Sequence, residues 1–306
     1  MLFKKLFARE NLIFWALGAL LIVAGAALVG FYYTDRYTHA DNKVLERQAQ
    51  HLESMIVKNP QNADLRVSAG IYYLDAKQVD LAIEQGEQAL KIDSQHQGAM
   101  VLLGKAYQEK RNYDAAVKQL SRVIEMNRDN PMAKMNKSLE AVYYQLGSIY
   151  RDQGKYPQAT EALLAALQID YTDADALTLL GQVYQKQNDH EKAIGAFQEA
   201  LRFDPTFDQP YQGLAVSYAA MGKTQQAAYA RGMITLGQGK PYDAAKQIEA
   251  VLAQSPDLVY ANYGLALAYE KLGRRADAIA AINKFLAQYP NDIAAEQVLG
   301  RLSKGN

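Results

Sequence analysis

From about residue 42 onward, apolar residues return every three or four positions. Leu45, Ala49, Leu52 and Ile56 form one such set, and Met132, Met135, Leu139, Val142, Leu146 and Ile149 form another. That interval matches the 3.6-residue turn of an amphipathic helix, with one face turned to a core. Glycine–lysine pairs or Asn/Asp–Pro steps break the pattern every 15 to 20 residues, and no stretch alternates with a period of two. The region 42–303 therefore reads as helix after helix, an all-α domain. Ahead of it, residues 12–33 are 22 positions without a charge. A helix of about 20 such residues spans the roughly 30 Å hydrocarbon layer of a bilayer.

Within the helical region one sparse spacing recurs: a small residue, a tyrosine three positions later and an alanine nine after that. Gly70, Tyr73 and Ala82 obey it, as do Gly104, Tyr107 and Ala116; Gly147, Tyr150 and Ala159; and Gly181, Tyr184 and Ala193. Two more sets, Ala215, Tyr218, Ala227 and Ala266, Tyr269, Ala278, put alanine first. Small residues on facing stripes let two helices approach closely, and the tyrosine one turn on fills the space beside them. "GKYPQA" at 154–159, "GKTQQA" at 222–227 and "GRRADA" at 273–278 supply a helix stop and the next start. About six repeats of a helical hairpin account for the chain.

The spacing resembles the tetratricopeptide repeat family, whose 34-residue unit carries Leu-Gly, Tyr, Ala, an aromatic or aliphatic residue, Ala and Pro at these intervals. Leu180, Gly181, Tyr184, Ala193, Phe197, Ala200 and Pro205 match it best, and the resemblance covers about residues 42–303. It implies a right-handed α-solenoid, a superhelix of helix pairs whose concave face takes peptides or protein segments. Some members clamp acidic chaperone C-termini with basic residues and paired asparagines. The corresponding positions Val67, Ile71 and Leu102 are apolar, so that activity is not implied.

The period breaks twice: successive tyrosines of the spacing lie 34, 43, 34, 34 and 51 residues apart. The longer 43 holds nine extra residues at 131–139, whose apolar interval runs on into the next helix. That predicts one extended helix near 131–152, with a looped-out insertion as the alternative that Pro131 and Asn136 favour. The 51 is one repeat and a half: "TQQAAYARGM" and "PYDAAKQIEA" both look like second helices of a hairpin. A phase slip near 237–241, around Gly237, Gly239 and Pro241, is expected, either as a hinge or as an irregularity that solenoids tolerate. Residues 293–303 read as a capping helix.

Register predicts the concave lining. It comprises Val67, Ile71, Val101, Lys105, Tyr144, Ser148, Thr178, Gln182 and Gln212, then Tyr229, Tyr260 and Tyr263 provided the slip does not invert them. Amide, hydroxyl and aromatic groups with little charge suit an extended peptide or a partner helix, although a tyrosine stripe is often plain core.

The apolar run 12–33 has Trp15 near one end and Tyr32, Tyr33 and Tyr37 at the other, where aromatic belts sit at membrane interfaces. Its length exceeds the usual core of a cleaved signal peptide, the rival reading suggested by "AGA" at 24–26. Lys4, Lys5 and Arg9 crowd the segment 1–11, whereas Arg36, Lys43 and Arg47 follow the run. The denser N-terminal group favours a single-pass protein with a cytoplasmic N-terminus and repeats outside the cytoplasm, held near the bilayer by the linker 34–41. Gly18, Gly25, Ala26 and Gly30 share a stripe that could receive another helix, or simply reflect the glycine content of such segments.

Charge and chemistry narrow the function. Lysine plus arginine equals aspartate plus glutamate at 33 each, so no global field draws nucleic acid. Cysteine is absent, which removes disulfides, thiolate nucleophiles and Cys-ligated metal sites. His39, His51, His96 and His190 show no ligand spacing, and no nucleophile-elbow, phosphate-loop or dinucleotide fingerprint occurs. No catalytic residue, cofactor or metal is expected. The sequence reads as a membrane-anchored scaffold, assembly factor or accessory subunit of an envelope complex, binding proteins or peptides and, through 12–33, lipid. A cytosol-facing receptor or co-chaperone that recognises client peptides is the alternative.

Overall fold

In the computed structural model the described residues are 44–304, and every regular element among them is a helix. In chain order these are α1 (44–58), α2 (Ala63–Asp75), α3 (Val79–Ile92), α4 (Gln97–Glu109) and α5 (Tyr113–Met126). Then come α6 (Lys137–Asp152), α7 (Tyr156–Ile169), α8 (Ala174–Lys186), α9 (His190–Phe203) and α10 (Asp208–Ala220). The last five are α11 (Thr224–Gly237), α12 (Pro241–Gln254), α13 (Ala261–Lys271), α14 (Arg275–Gln288) and α15 (Ile293–Lys304). Segment 1–11, the expected spanning helix 12–33 with its stripe of Gly18, Gly25, Ala26 and Gly30, and linker 34–41 lie outside the described residues. Among the described residues no helix is long and apolar enough to cross a membrane.

The chain divides into two compact units, 1–119 and 120–306, with the boundary inside α5. In the first, α2 packs on α3 and α3 on α4, while α2 also touches α4. Its core joins Ala49 and Ile56 of α1 to Ala69, Tyr73, Ala82, Ala89 and Leu102. The lone helix α1 behaves as the second half of a repeat: Glu53 accepts from the Tyr73 hydroxyl at 2.6 Å and Glu46 from Gln78 Nε2 at 2.7 Å.

In the second unit each helix from α6 to α15 packs on its successor. Phe197 of α9 is fully buried and fills the space between Gly181 of α8 and Gly213 of α10. A Cβ at either glycine would lie 2.6 Å or 2.2 Å from the ring, so only hydrogen fits at both. The spacing's small residue is thus fixed by an aromatic wedge.

Helix ends mark the repeat. Second helices α3, α7 and α9 run into Asp93, Asp170 and Asp204, each with extended backbone. First helices instead close on a left-handed residue: Lys77 (φ 62), Arg111 (φ 56), Gly154 (φ 72), Asn188 (φ 59), Gly222 (φ 71) and Gly273 (φ 71). A side chain in that conformation costs roughly 1–2 kcal/mol, less for Asn and nothing for Gly. Arg111→Gly is therefore expected to raise stability by about 1 kcal/mol in a urea titration, after subtracting the extra freedom glycine gives the unfolded chain.

The expected long helix at 131–152 is corrected. A 3₁₀ turn at Ala133–Met135 precedes α6, which starts only at Lys137. Asn136 stops the continuation: its side chain accepts from the backbone N–H of Ser138 and Leu139 and caps α6. Six of the nine extra residues, 131–136, thus precede α6 in this turn and its flanks, with Met132 and Met135 exposed.

Candidate partner-binding surface

In the second unit the first helices form a row, α6 touching α8 and α8 touching α10. Side chains stitch it: Arg151 Nη1 donates to Gln182 Oε1 at 3.1 Å, and Gln185 Nε2 reaches Gly213 O and Ser217 Oγ, both at 2.8 Å. Tyr144, Ser148 and Gln182 are half-buried along this row and Gln212 is exposed. Thr178, expected beside them, is only 2% exposed and belongs to the core. Its hydroxyl turns back onto Ala174 O at 2.6 Å.

In the first unit Ile71 and Lys105 are exposed and Val101 half-buried. Val67 is core rather than lining, since Gly98 at the start of α4 sits over it. Tyr229 of α11 is likewise core, 7% exposed, edge-on to Tyr260 at 5.2 Å between ring centroids. Tyr229 also hydrogen-bonds Tyr211, whose hydroxyl donates to Pro205 O at 3.3 Å. Burial is the main reason that both phenols are pushed above their ordinary range. Tyr260 and Tyr263 remain half-buried, and burial raises Tyr263 to about 12. The Tyr260 hydroxyl is shielded from solvent and has no partner among the described residues.

Carboxylates cluster where α6 begins. Burial, then a hydrogen bond to Asp173 and that residue's charge, push Glu140 up to about 7. Asp170, bonded to Lys137 and Thr172, is held at about 2. The two act in separate windows. A carboxyl with a raised folded pKa binds more protons in the native state, so stability falls as pH climbs from Glu140's ordinary 4.5 to about 7. Asp170 acts oppositely: its contribution is present above 3.8 and is lost as pH falls towards 2. Glu140→Gln should flatten the fall in melting temperature between pH 4.5 and 7, followed by circular dichroism, and leave the acid limb unchanged.

The slip has a specific structure. α11 begins as second helices do: Lys223 before it (φ −81, ψ 71) matches Gln78 before α3 (φ −89, ψ 64). It ends as first helices do, on left-handed Gly239 (φ 75). Up to α10 the helices touching across one neighbour are even-numbered; from α11 they are odd, α11 with α13 and α13 with α15. One helix thus serves as the second member of one hairpin and the first of the next. The expectation of two successive second helices holds for α11's start and fails at its end.

The signal for this lies in the sequence but under disguise. Gly232, Thr235 and Ala244 repeat the small–tyrosine–alanine spacing with threonine in the middle. A Cβ on Gly232 would stand 2.8 Å from Ile248 of α12, the same close approach as in the other hairpins.

No group of three or more His, Asp or Glu placed to hold a metal occurs among the described residues. His96 has a structural role, its Nδ1 accepting from Ala99 N at 3.2 Å to cap α4 while Nε2 lies 3.0 Å from Asp64.

Three tetratricopeptide repeat profiles match residues 73–140, 138–206 and 229–293, together more than half of the chain. The chain belongs to the tetratricopeptide repeat family. Among similar curated proteins, Superkiller protein 3 of Schizosaccharomyces pombe is 25% identical over 176 residues, covering 58% of this chain and 12% of that protein. Cellulose synthase 1 operon protein C of Komagataeibacter xylinus is 27% identical over 202 residues, covering 56% and 15% respectively. The alignments span under a sixth of these relatives' length.

Solved structures place the tetratricopeptide fold alone. The C-terminal part of a repeat-containing protein from Cytophaga hutchinsonii aligns with TM-score 0.53 at 19% identity, over 88% of this chain and 99% of that one. MamA from Desulfovibrio magneticus aligns with TM-score 0.51 at 20% identity, over 57% and 94%.

Proposed function

We propose that this tetratricopeptide repeat protein is a non-catalytic scaffold at a membrane, which holds a segment of another protein along the first-helix row of its second unit. The observation that carries the reading is that row itself: Tyr144, Ser148, Gln182 and Gln212 offer ring, hydroxyl and amide groups at partial or full exposure. Such neutral, hydrogen-bonding and aromatic surfaces suit an extended backbone or a helix face. Photo-crosslinkers at Tyr144 and Gln182 should capture one partner in native membranes, identified by mass spectrometry, whereas crosslinkers at exposed Glu161 and Lys246 should not. Capture from Glu161 and Lys246 alone would reject the assignment.

The membrane attachment rests on the uncharged run 12–33. The full chain should stay with membranes through alkaline carbonate extraction, and a chain lacking 12–33 should not. A reporter fused to the C-terminus should be active outside the cytoplasm. Activity only in the cytosol would make the chain a receptor for client peptides instead.

A further inference from the structure

Charge follows a helix's role in the hairpin. The residue after each left-handed glycine that closes a first helix is basic: Gly154–Lys155, Gly222–Lys223, Gly239–Lys240 and Gly273–Arg274. The stretches that lead from a second helix into the first helices α8 and α10 carry aspartates instead, Asp170, Asp173, Asp175, Asp204 and Asp208. Both choices suit the local backbone, since cations are favoured at helix C-termini and carboxylates at N-termini. Consecutive helices joined by short turns run in opposite directions, so the two kinds of connection lie on opposite edges of the stack until α11 exchanges roles. From there the basic turns fall on the edge where the aspartates stand. Two contacts fix that shared edge. The Asp208 carboxylate at the start of α10 stands over Gly237 at the end of α11, and Arg275 Nη2 at the start of α14 donates to Ser303 O at the end of α15 at 2.9 Å.

The edge therefore has two halves of opposite sign. Asp173, Asp175, Asp204 and Asp208 stand on the half built by α8 and α10, exposed or half-buried and without an ion pair among the described residues. Asp170 and Glu199 near them are neutralised by Lys137 and Arg202. Burial, then the charges of Asp173 and Asp204, push the Asp175 carboxyl up, the mark of like charges left uncompensated. Lys240, Lys271, Arg275 and Lys304 stand on the half built by α11 to α15, equally without an ion pair among the described residues. Asp243 offsets them in part, whereas Asp277 is taken by Arg274 and Glu270 by Arg301.

We propose that this edge pairs with the same edge of a second copy of the chain, about a two-fold axis near the end of α11, acidic half against basic half. Charge complementarity names the occupant. A rotation that exchanges the halves sets Asp173, Asp175, Asp204 and Asp208 of each copy against Lys240, Lys271, Arg275 and Lys304 of the other, the self-complementary contact that a two-fold dimer requires. Exposed ion pairs are individually weak and screened by salt, so the association is reversible and salt-sensitive. The edge does not include Tyr144, Ser148, Gln182 or Gln212, so its test is independent of the partner-binding row.

The test measures the mass of the full chain in non-ionic detergent by analytical ultracentrifugation. A dimer is expected in about 50 mM salt, with its dissociation constant raised about tenfold or more in about 500 mM. Asp175→Lys with Asp208→Lys, and separately Lys271→Glu with Lys304→Glu, should each leave the chain monomeric at low salt. An equimolar mixture of these two variants should restore the dimer, because both contacts then join opposite signs again. A monomeric unaltered chain, a dimer unmoved by salt, or variants that dimerise as the unaltered chain does would overturn the proposal. So would variants that stay monomeric when mixed, which would assign the two halves to separate partners. Circular dichroism melts check that both variants fold, and if either does not, the salt series on the unaltered chain decides alone.

Discussion

Phe197→Ala should lower the unfolding free energy by about 3–5 kcal/mol, the largest loss expected from a single substitution in this chain. The ring is fully buried and wedged between glycines on two helices that both lack a side chain to collapse into the space. Surroundings that relax little leave most of the removed volume as cavity, which puts the cost in the upper part of that range. Because repeats couple mainly to their neighbours, the loss should be local as well. Hydrogen exchange should quicken in α8, α9 and α10 and stay close to wild type in α14 and α15. Uniform acceleration across the unit would show that it unfolds as one block and would refute the nearest-neighbour description.

Two glycine substitutions should move stability in opposite directions. Gly213→Ala gains about 1 kcal/mol of helix propensity but forces a methyl 2.2 Å from Phe197 Cζ. The ring cannot retreat, since Gly181 lies against it on the other side. Overpacking of this kind costs about 1–3 kcal/mol, so the net effect is destabilising. Gly195→Ala in α9 has nothing within 4 Å of the added carbon and should keep the propensity gain of about 0.5–1 kcal/mol. Denaturant melts of both variants check the contrast. In a Phe197→Leu background the Gly213→Ala penalty should shrink, and the difference measures the coupling.

The hairpins were legible because close helix approach admits so few residues. A glycine under Phe197 or Ile248 leaves a mark at a fixed interval that no surface position would keep. Helix identity at 131–136 was not legible from the same apolar interval. Met132 and Met135 fit the period but end up exposed, and the competing side-chain cap from Asn136 is a local hydrogen-bonding choice that periodicity does not weigh.

The lining was legible as a face, not as a depth. Val67, Thr178 and Tyr229 have the right register, yet the start of the next helix, a turned-back hydroxyl and a neighbouring tyrosine place them in the core. The hairpin that begins on α11 stayed hidden for another reason: threonine at 235 stands in place of the tyrosine by which the spacing is recognised.

The dual role of α11 also constrains how such a chain can lengthen or shorten. Gaining or losing a whole 34-residue unit after it would preserve the exchange of layers, because each unit brings an even number of helices. Only a second single-helix step could cancel it. The 17-residue step from Gly222 to Gly239 therefore acts as a parity element, deciding which flank all later hairpins present to their surroundings.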